Sequence, residues 1–420
     1  MSPGLEAGTG IVWVAMLFGF KAAPLVMGRL SAAIGRLLQS LFHPAEAQIQ
    51  VYIDDVAVMV RGSPEERNIH LAKILHVLAA FGVQISLGKG ERGKSVTWIG
   101  TTFELTRQDV FLGTPKKMVQ EIRETISNWQ GKGLVATKEL RTLVGRLSWV
   151  AGIVPRLRWT VTAMYAVLTS VLQEENKEEE RAAKRSGDQR PKHGLFAVKR
   201  LGTVLPWLKA AFETPELMLV RKEPLVEPQP IWGVVTDASP GGLGGVLIHK
   251  VGDVWTIVEA FEAPVLQHQA EALEIEYNQA SGQAVLEGLA ILRALQIWST
   301  KFQNAPALIR SDSSVALAMS KQLKSSTKTL NYIAAELSLL LERARIQRLV
   351  PQHVPGKLNV EADWLSRVQG RGAMPDSLAG VKLRRAAALN EQSMVMAPPG
   401  VPGSPWGQQI SHPEGVFDSL

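Results

Sequence analysis

Two adjacent carboxylates interrupt a run of β-formers near the start of the chain. In Gln48-Ile49-Gln50-Val51-Tyr52-Ile53-Asp54-Asp55-Val56-Ala57-Val58-Met59-Val60, β-branched and apolar residues flank Asp54 and Asp55 on both sides. Asp adopts turn dihedrals that Val and Ile resist, so the run predicts two strands meeting at a tight turn with both acids at its tip. Neighbouring charges on an apolar hairpin are costly unless they are solvated or matched by a cation, and a divalent metal is the natural match.

The rest of the chain must fold around that hairpin. At 420 residues, with 46% hydrophobic and 20% charged, it predicts two to three globular domains. An excess of 46 Lys+Arg over 39 Asp+Glu, formally +7, favours a polyanionic partner such as nucleic acid or an acidic membrane. The absence of cysteine excludes disulfide staples, cysteine-type zinc sites and thiol chemistry, and fits an intracellular compartment. The apolar run Ile11 to Phe20 has about half the length of a membrane span and is followed by Lys21 and Pro24, so it reads as protein core and no membrane partner is expected.

Periodicity orders the elements. Leu25, Gly28, Leu30, Ile34, Leu37, Leu38 and Leu41 predict a helix before the acidic hairpin; Pro64 opens a second, which ends at Gly82. Val83 to Leu87, Val96 to Leu105 and Asp109 to Leu112 read as strands, Lys116 to Trp129 and Thr137 to Val154 as helices, the second capped by Thr137. Gln173 to Lys192, rich in Glu and then Arg and Lys, predicts a solvated linker or charged surface helix and the main domain boundary, with a helical connector from Leu195 to Phe212. Three antiparallel strands follow from Ile231 to Val258. After them come a helix from Gln283 to Trp298, a strand at Ala307 to Arg310, helices at Ser313 to Ser320 and Thr327 to Arg343, and a strand at Ile346 to Val350. Pro- and Gly-rich composition predicts a disordered tail over 369–420.

Four acids in the second half sit at strand ends or on sheet-facing helices. Asp237 closes a strand, Glu287 lies on a helix whose apolar positions would pack on the sheet, Asp312 follows Ala307-Leu308-Ile309-Arg310, and Asp363 lies in Asn359-Val360-Glu361-Ala362-Asp363-Trp364-Leu365-Ser366-Arg367. They could converge on one site. Glu271, Glu274 and Glu276 are alternatives to Glu287. His353 fits a hydrogen-bonded loop residue, and Trp129, Trp149, Trp159, Trp207 and Trp298 fit core positions.

The tetrapeptide Tyr52-Ile53-Asp54-Asp55 resembles the palm signature of reverse transcriptases. Phe18-Gly19-Phe20-Lys21-Ala22-Ala23-Pro24 resembles the substrate-binding motif upstream of it. Gly82 to Lys89, Trp98-Ile99-Gly100 as a grip-like hairpin, and Thr137 to Leu147 as a thumb or connection helix follow in the family's order, over roughly residues 11 to 170. The resemblance implies that Asp54 ligates metal with Asp55 beside it, that Tyr52 packs near the primer terminus with Phe20, Lys21 and Pro24 in the substrate motif, and that Lys89 lies near nucleotide phosphates. Lys89, Arg92 and Lys94 are then a template-primer contact or an ordinary solvated surface. A complete palm carries a further aspartate before Gly19, and Met1 to Val12 holds none. Polymerisation is therefore expected only if a partner or longer isoform supplies the fingers and that aspartate.

The succession Asp237, Glu287, Asp312, Asp363 resembles the four catalytic carboxylates of ribonuclease H. The stretch His353-Val354-Pro355-Gly356-Lys357-Leu358-Asn359, with Ala362-Asp363 and Leu365-Ser366-Arg367, is similar to retrotransposon forms of gypsy or DIRS type. The resemblance implies an α/β (α+β) chain: a partial palm over 1–112, thumb or connection helices over 113–172, a charged linker and connector over 173–230, and a ribonuclease H-like mixed-sheet domain over 231–368. It further implies two Mg²⁺ ions, or Mn²⁺, at an intact site, and hydrolysis of RNA in an RNA–DNA hybrid. The alternative expectation is a non-catalytic relic that only holds a hybrid or template-primer duplex.

Overall fold

The computed structural model describes residues 21–185, 194–202, 204–213, 219–368 and 371–388. The chain folds as two compact units, Met1–Leu105 and Thr106–Leu420. The division falls between Leu105 and Thr106; the charged stretch from Gln173 is helical as far as Arg185, as the surface-helix alternative expected, and 186–192 lie outside the described residues.

In the first unit, α1 (Ala23–Ser40) has Pro24 in its opening turn, where a missing N–H costs nothing. The hairpin follows as β1 (Ala47–Tyr52) antiparallel to β2 (Asp55–Val60), with Tyr52 opposite Asp55 and the loop reduced to Ile53-Asp54. Gln39 ties the helix to the hairpin: its amide donates to Ala47 O at 3.0 Å and accepts from Ile49 N at 2.9 Å. Helix α2 (Pro64–Ala80) starts in a capping box, the Ser63 hydroxyl accepting from Glu66 N while the Glu66 carboxylate accepts from Ser63 N. Leu38, Phe42, Ala47, Ile49, Ile74 and Leu78 form the small core. A hairpin β3 (Ser95–Trp98) and β4 (Thr101–Leu105) turns at Ile99-Gly100. Between α2 and β3 the expected strand at Val83 to Leu87 is absent: Val83–Ser86 is irregular and Leu87–Lys89 is a 3₁₀ turn. Alternation alone does not make a strand where no second strand accepts its hydrogen bonds, and none among the described residues does.

The second unit opens with β5 (Asp109–Gly113), α3 (Lys116–Trp129), β6 (Leu134–Ala136), α4 (Thr137–Ile153) and α5 (Arg158–Arg185). Thr137 is the first residue of α4 and not its cap; its hydroxyl bonds to Glu175 at 2.8 Å. The stretch from Leu195 is not all helix: β7 (Leu195–Ala197) pairs with β6 before α6 (Val204–Glu213), and β8 (Val220–Pro224) pairs with β5. Trp129, Trp159, Trp207 and Trp298 are buried, whereas Trp149 is 40% exposed and does not fill the core expected of it.

A six-stranded sheet follows. The strands β9 (Trp232–Ser239), β10 (Gly242–Val251) and β11 (Val254–Pro264) run antiparallel, and α7 (Gln267–Ala272) and α8 (Gln283–Ile297) lead to β12 (Ala307–Ser311), parallel to β9. Then come α9 (Ser314–Gln322), α10 (Lys328–Arg343), β13 (Leu349–His353), α11 (Val360–Ser366) and β14 (Lys382–Arg385), giving the order β13-β12-β9-β10-β11-β14. The α/β (α+β) class is therefore as expected. Strand β13 starts later than Ile346, which is instead buried at the exit of α10 while Leu349 pairs with Ala307; Pro351 is tolerated because the strand is an edge. Part of the expected tail is also ordered. Over 371–388, Leu378 and Val381 pack beneath the sheet and β14 pairs in parallel with β11; residues 389–420 lie outside the described residues.

One glycine decides how the layers meet. A Cβ on Gly244 of β10 would lie 2.3 Å from Ser366 N and 2.6 Å from Ala362 O, so only glycine lets the backbone of α11 rest directly on the sheet. That close approach delivers the end of α11 to Asp237, which faces Gly244 across the ladder.

Candidate metal centre

Asp237, Glu287 and Asp312 come together. Each offers a carboxylate oxygen within 4.8 Å of the other two, and they form the one such group of acids or histidines among the described residues. Asp237 projects from the central strand, Glu287 from α8 packed over it, and Asp312 from the residue after β12, which lies beside β9 in parallel. A parallel strand pair with a covering helix brings acids distant in sequence to one sheet end.

Neighbours hold the Asp237 and Glu287 carboxylates and the Asp312 backbone. Asp237 Oδ2 accepts from the buried Ser366 hydroxyl at 2.6 Å, and that hydroxyl also reaches Asp363 O at 2.9 Å. Glu287 Oε1 accepts from Gln283 one helical turn earlier at 2.8 Å, and the same amide reaches Ala238 O. The Asp312 backbone carbonyl meets His353 Nε2 at 3.1 Å, so His353, hydrogen-bonded as expected but at the end of β13 and not in a loop, supports the site with its Nε2 already engaged. Gly356 passes so close to Asp312 that a Cβ there would stand 2.9 Å from Oδ2.

Two of the three acids resist ionisation in the ion-free site. Burial lifts Glu287 to about 8, with Asp237 and then Asp312 adding repulsion against the hydrogen bonds from Gln283 and Ala238. Burial also lifts Asp237 to about 6; Ser366 opposes this, Asp312 and Asp363 reinforce it, and Arg367 offsets part of it. Glu287 Oε2 is buried and has no hydrogen-bond partner. An orphaned buried oxygen among all-oxygen donors fits a hard divalent cation, Mg²⁺ or Mn²⁺.

Asp363, the fourth acid expected here, is outside that group. Both its oxygens are taken by Arg367, whose Nε lies 3.0 Å from each and whose Nη2 lies 2.7 Å from Oδ1. The alternatives to Glu287 are occupied elsewhere: Glu271 with Gln267, Glu274 with Lys328, and Glu276 with Ser281.

The acidic hairpin gathers no such group. Asp54 and Asp55 are exposed, Asp54 in the turn and Asp55 opening β2, and among the described residues no third acid joins them. Ile53 takes φ 55°, a strained choice for a β-branched residue, and its carbonyl is fixed by the Ser31 hydroxyl of α1. Tyr52 is 54% exposed, and Lys21, Pro24 and Lys89 are exposed too. Phe20 lies outside the described residues.

Gln283 and Ser366 were missed as site residues. Spacing could have found both: Gln283 stands four residues before Glu287, and Ser366 three after Asp363, each on the acid's own helical face.

Residues 5–103 match the family model for reverse transcriptase (RNA-dependent DNA polymerase). The chain as a whole is similar to the Cassava vein mosaic virus protein named "Putative enzymatic polyprotein", 22% identical over 363 residues, 84% of this chain and 47% of the relative. It thus spans about half the length of the curated relative it matches. Among solved structures it is similar to the foamy viral protease-reverse transcriptase in complex with dsDNA, at 15% identity over 82% of this chain and 60% of that one, TM-score 0.37. It is also similar to LC11-RNase H1, isolated from compost by a metagenomic approach, at 20% identity over 33% of this chain and 93% of that one, TM-score 0.25. Both superpositions are loose. Residues 5–103, nearly all of the first unit, thus carry the match to reverse transcriptases, in a chain similar to a viral polyprotein.

Proposed function

We propose that the second unit hydrolyses the RNA strand of RNA–DNA hybrids. The carrying observation is the convergence of Asp237, Glu287 and Asp312, with a buried Glu287 oxygen left without a partner. Asp237, Glu287 and Asp312 would hold divalent cations, with Asp363 at the edge of the set. When bound, such ions activate water and neutralise charge on the phosphodiester as it is attacked in line. The protein's own part is positioning: Ser366 fixes the Asp237 rotamer, Gln283 fixes Glu287, and His353 steadies the Asp312 backbone. The formal charge of +7 supports association with a nucleic-acid duplex.

Purified chain with end-labelled hybrid and Mg²⁺ tests this. Cleavage that disappears with chelator and in Asp312→Asn supports it; no cleavage, or cleavage undiminished in Asp312→Asn, sinks it. A second reading, a duplex-binding relic without turnover, is favoured by the engagement of Asp363 with Arg367. It predicts salt-dependent hybrid binding without metal-dependent product, and absence of binding at low salt would dispose of it.

A further inference from the structure

The end of α11 brings three polar groups to the candidate metal centre: the Asp363 carboxylate, the Ser366 hydroxyl and the Arg367 guanidinium. Only the hydroxyl reaches an acid of the converging group. The carboxylate is closed off by a two-pronged grip from Arg367, one turn later on the helix.

What surrounds Arg367 separates its backbone from its side chain. Arg371 Nε donates to Arg367 O at 3.0 Å and Arg371 Nη2 to Leu365 O at 3.1 Å. Arg371 is itself held between the Trp364 ring, 4.5 Å away, and the buried Glu262 of β11, which also takes Arg385 from β14. The backbone after α11 is therefore pinned to the sheet. The Arg367 side chain is 60% exposed, and the only carboxylate it pairs with among the described residues is Asp363. A guanidinium on a fixed stem, half in water, can leave Asp363 without moving the helix.

We propose that Arg367 is a built-in counter-ion of the centre, gripping Asp363 in the ion-free protein and giving way to a second divalent cation, so that the site fills in two unequal steps. The proposal rests on the nuclease reading above. Asp237, Glu287 and Asp312 take the first ion with no contribution from Asp363. The second ion draws on Asp363 and must displace the guanidinium, which leaves for solvent with its charge intact.

Mn²⁺ titration of the full chain, followed by calorimetry and by the electron-paramagnetic signal of free Mn²⁺, reads the steps without any activity assay. In the unaltered chain the second step is weaker than the first. Arg367→Lys keeps the charge and loses the fork, so it strengthens the second step by roughly two- to fivefold and leaves the first in place. Arg367→Gln also removes the charge and strengthens both, the second more. In an Asp363→Asn background the second step is lost, and the Arg367 substitutions differ only in the effect of the charge on the first step. Thermal melting checks that each variant folds, and Arg367→Lys decides if Arg367→Gln does not. An unchanged gap between the steps in both Arg367 variants overturns the proposal while the nuclease reading stands. No Mn²⁺ binding to the unaltered chain overturns both.

Discussion

The two acidic groups of this chain are built in opposite ways. Asp54 and Asp55 are neighbours in sequence, sit in water at a hairpin end, and are joined by no third acid among the described residues. Asp237, Glu287 and Asp312 are far apart in sequence, reach one sheet end, and are held by Gln283, Ser366 and His353. Adjacency makes a motif easy to recognise; it does not make a cation site. A cation site needs convergence from separate elements and enough burial that leaving the charges unmatched is costly.

The sharpest way to break that comparison is to remove one acid from each. Asp312→Asn takes a carboxylate out of the converging group, and hybrid cleavage in Mg²⁺ should fall by at least about a hundredfold. The rise in melting temperature on adding Mn²⁺ should shrink with it, since a cation that binds only the folded state stabilises it by mass action. Asp54→Asn should leave both readouts where they were. Equal losses from the two substitutions would mean that the hairpin acids belong to the same chemistry.

The next effect concerns pH, and it separates a carboxyl that serves the centre from one that is merely buried. Glu287 and Glu336 are both pushed up to about 8, each mainly by burial, and only Glu287 lies among other acids. A raised folded-state pKa means that the folded chain binds more protons than the unfolded chain between about 4.5 and 8. The contribution of each is full below the unfolded value and is lost as pH rises through the folded one. Denaturant melts of ion-free protein should therefore show stability declining from pH 5 to 8, and Glu287→Gln and Glu336→Gln should each flatten the decline by on the order of 1 kcal/mol or more. Saturating Mn²⁺ should flatten the Glu287 part and leave the Glu336 part. If Glu287→Gln still flattens the profile in Mn²⁺ as strongly as without it, the cation is not meeting that carboxylate.

How much of this was legible in the sequence follows from the range of the interactions involved. The helix Lys116–Trp129 and the first hairpin are set by local periodicity and turn chemistry, and they came out as read. The four acids could be picked out because each carries a local signature, yet their grouping as three with Asp363 aside depends on Arg367, a neighbour on the helix whose grip no periodicity reports. Val83 to Leu87 failed as a strand for lack of a partner, and the stretch over 371–388 defied its Pro- and Gly-rich context because β11 offers it an edge and Glu262 offers Arg371 and Arg385 a buried partner. Both misses are of the same kind. Composition describes a segment alone, and these segments are decided by what lies beside them.

Two glycines extend the comparison to packing, with smaller effects. Gly244 lies under α11 with backbone atoms 2.3 Å and 2.6 Å from the position a Cβ would take, so Gly244→Ala must push the helix off the sheet. The expected cost is about 1–3 kcal/mol of unfolding free energy by denaturant titration, as for other overpacked cores, with loss of Mn²⁺ affinity because Ser366 moves with the helix. Gly28, inside α1 of the first unit, has nothing within 4 Å of the same position. There the substitution meets no neighbour and only removes backbone freedom from the unfolded chain, so Gly28→Ala should stabilise by about 0.5–1 kcal/mol and leave Mn²⁺ binding untouched. A destabilising Gly28→Ala would mean that the face of α1 that is open in this structure is covered in the protein as purified, a result that a concentration series of melting temperatures would trace to self-association or to packing within one chain.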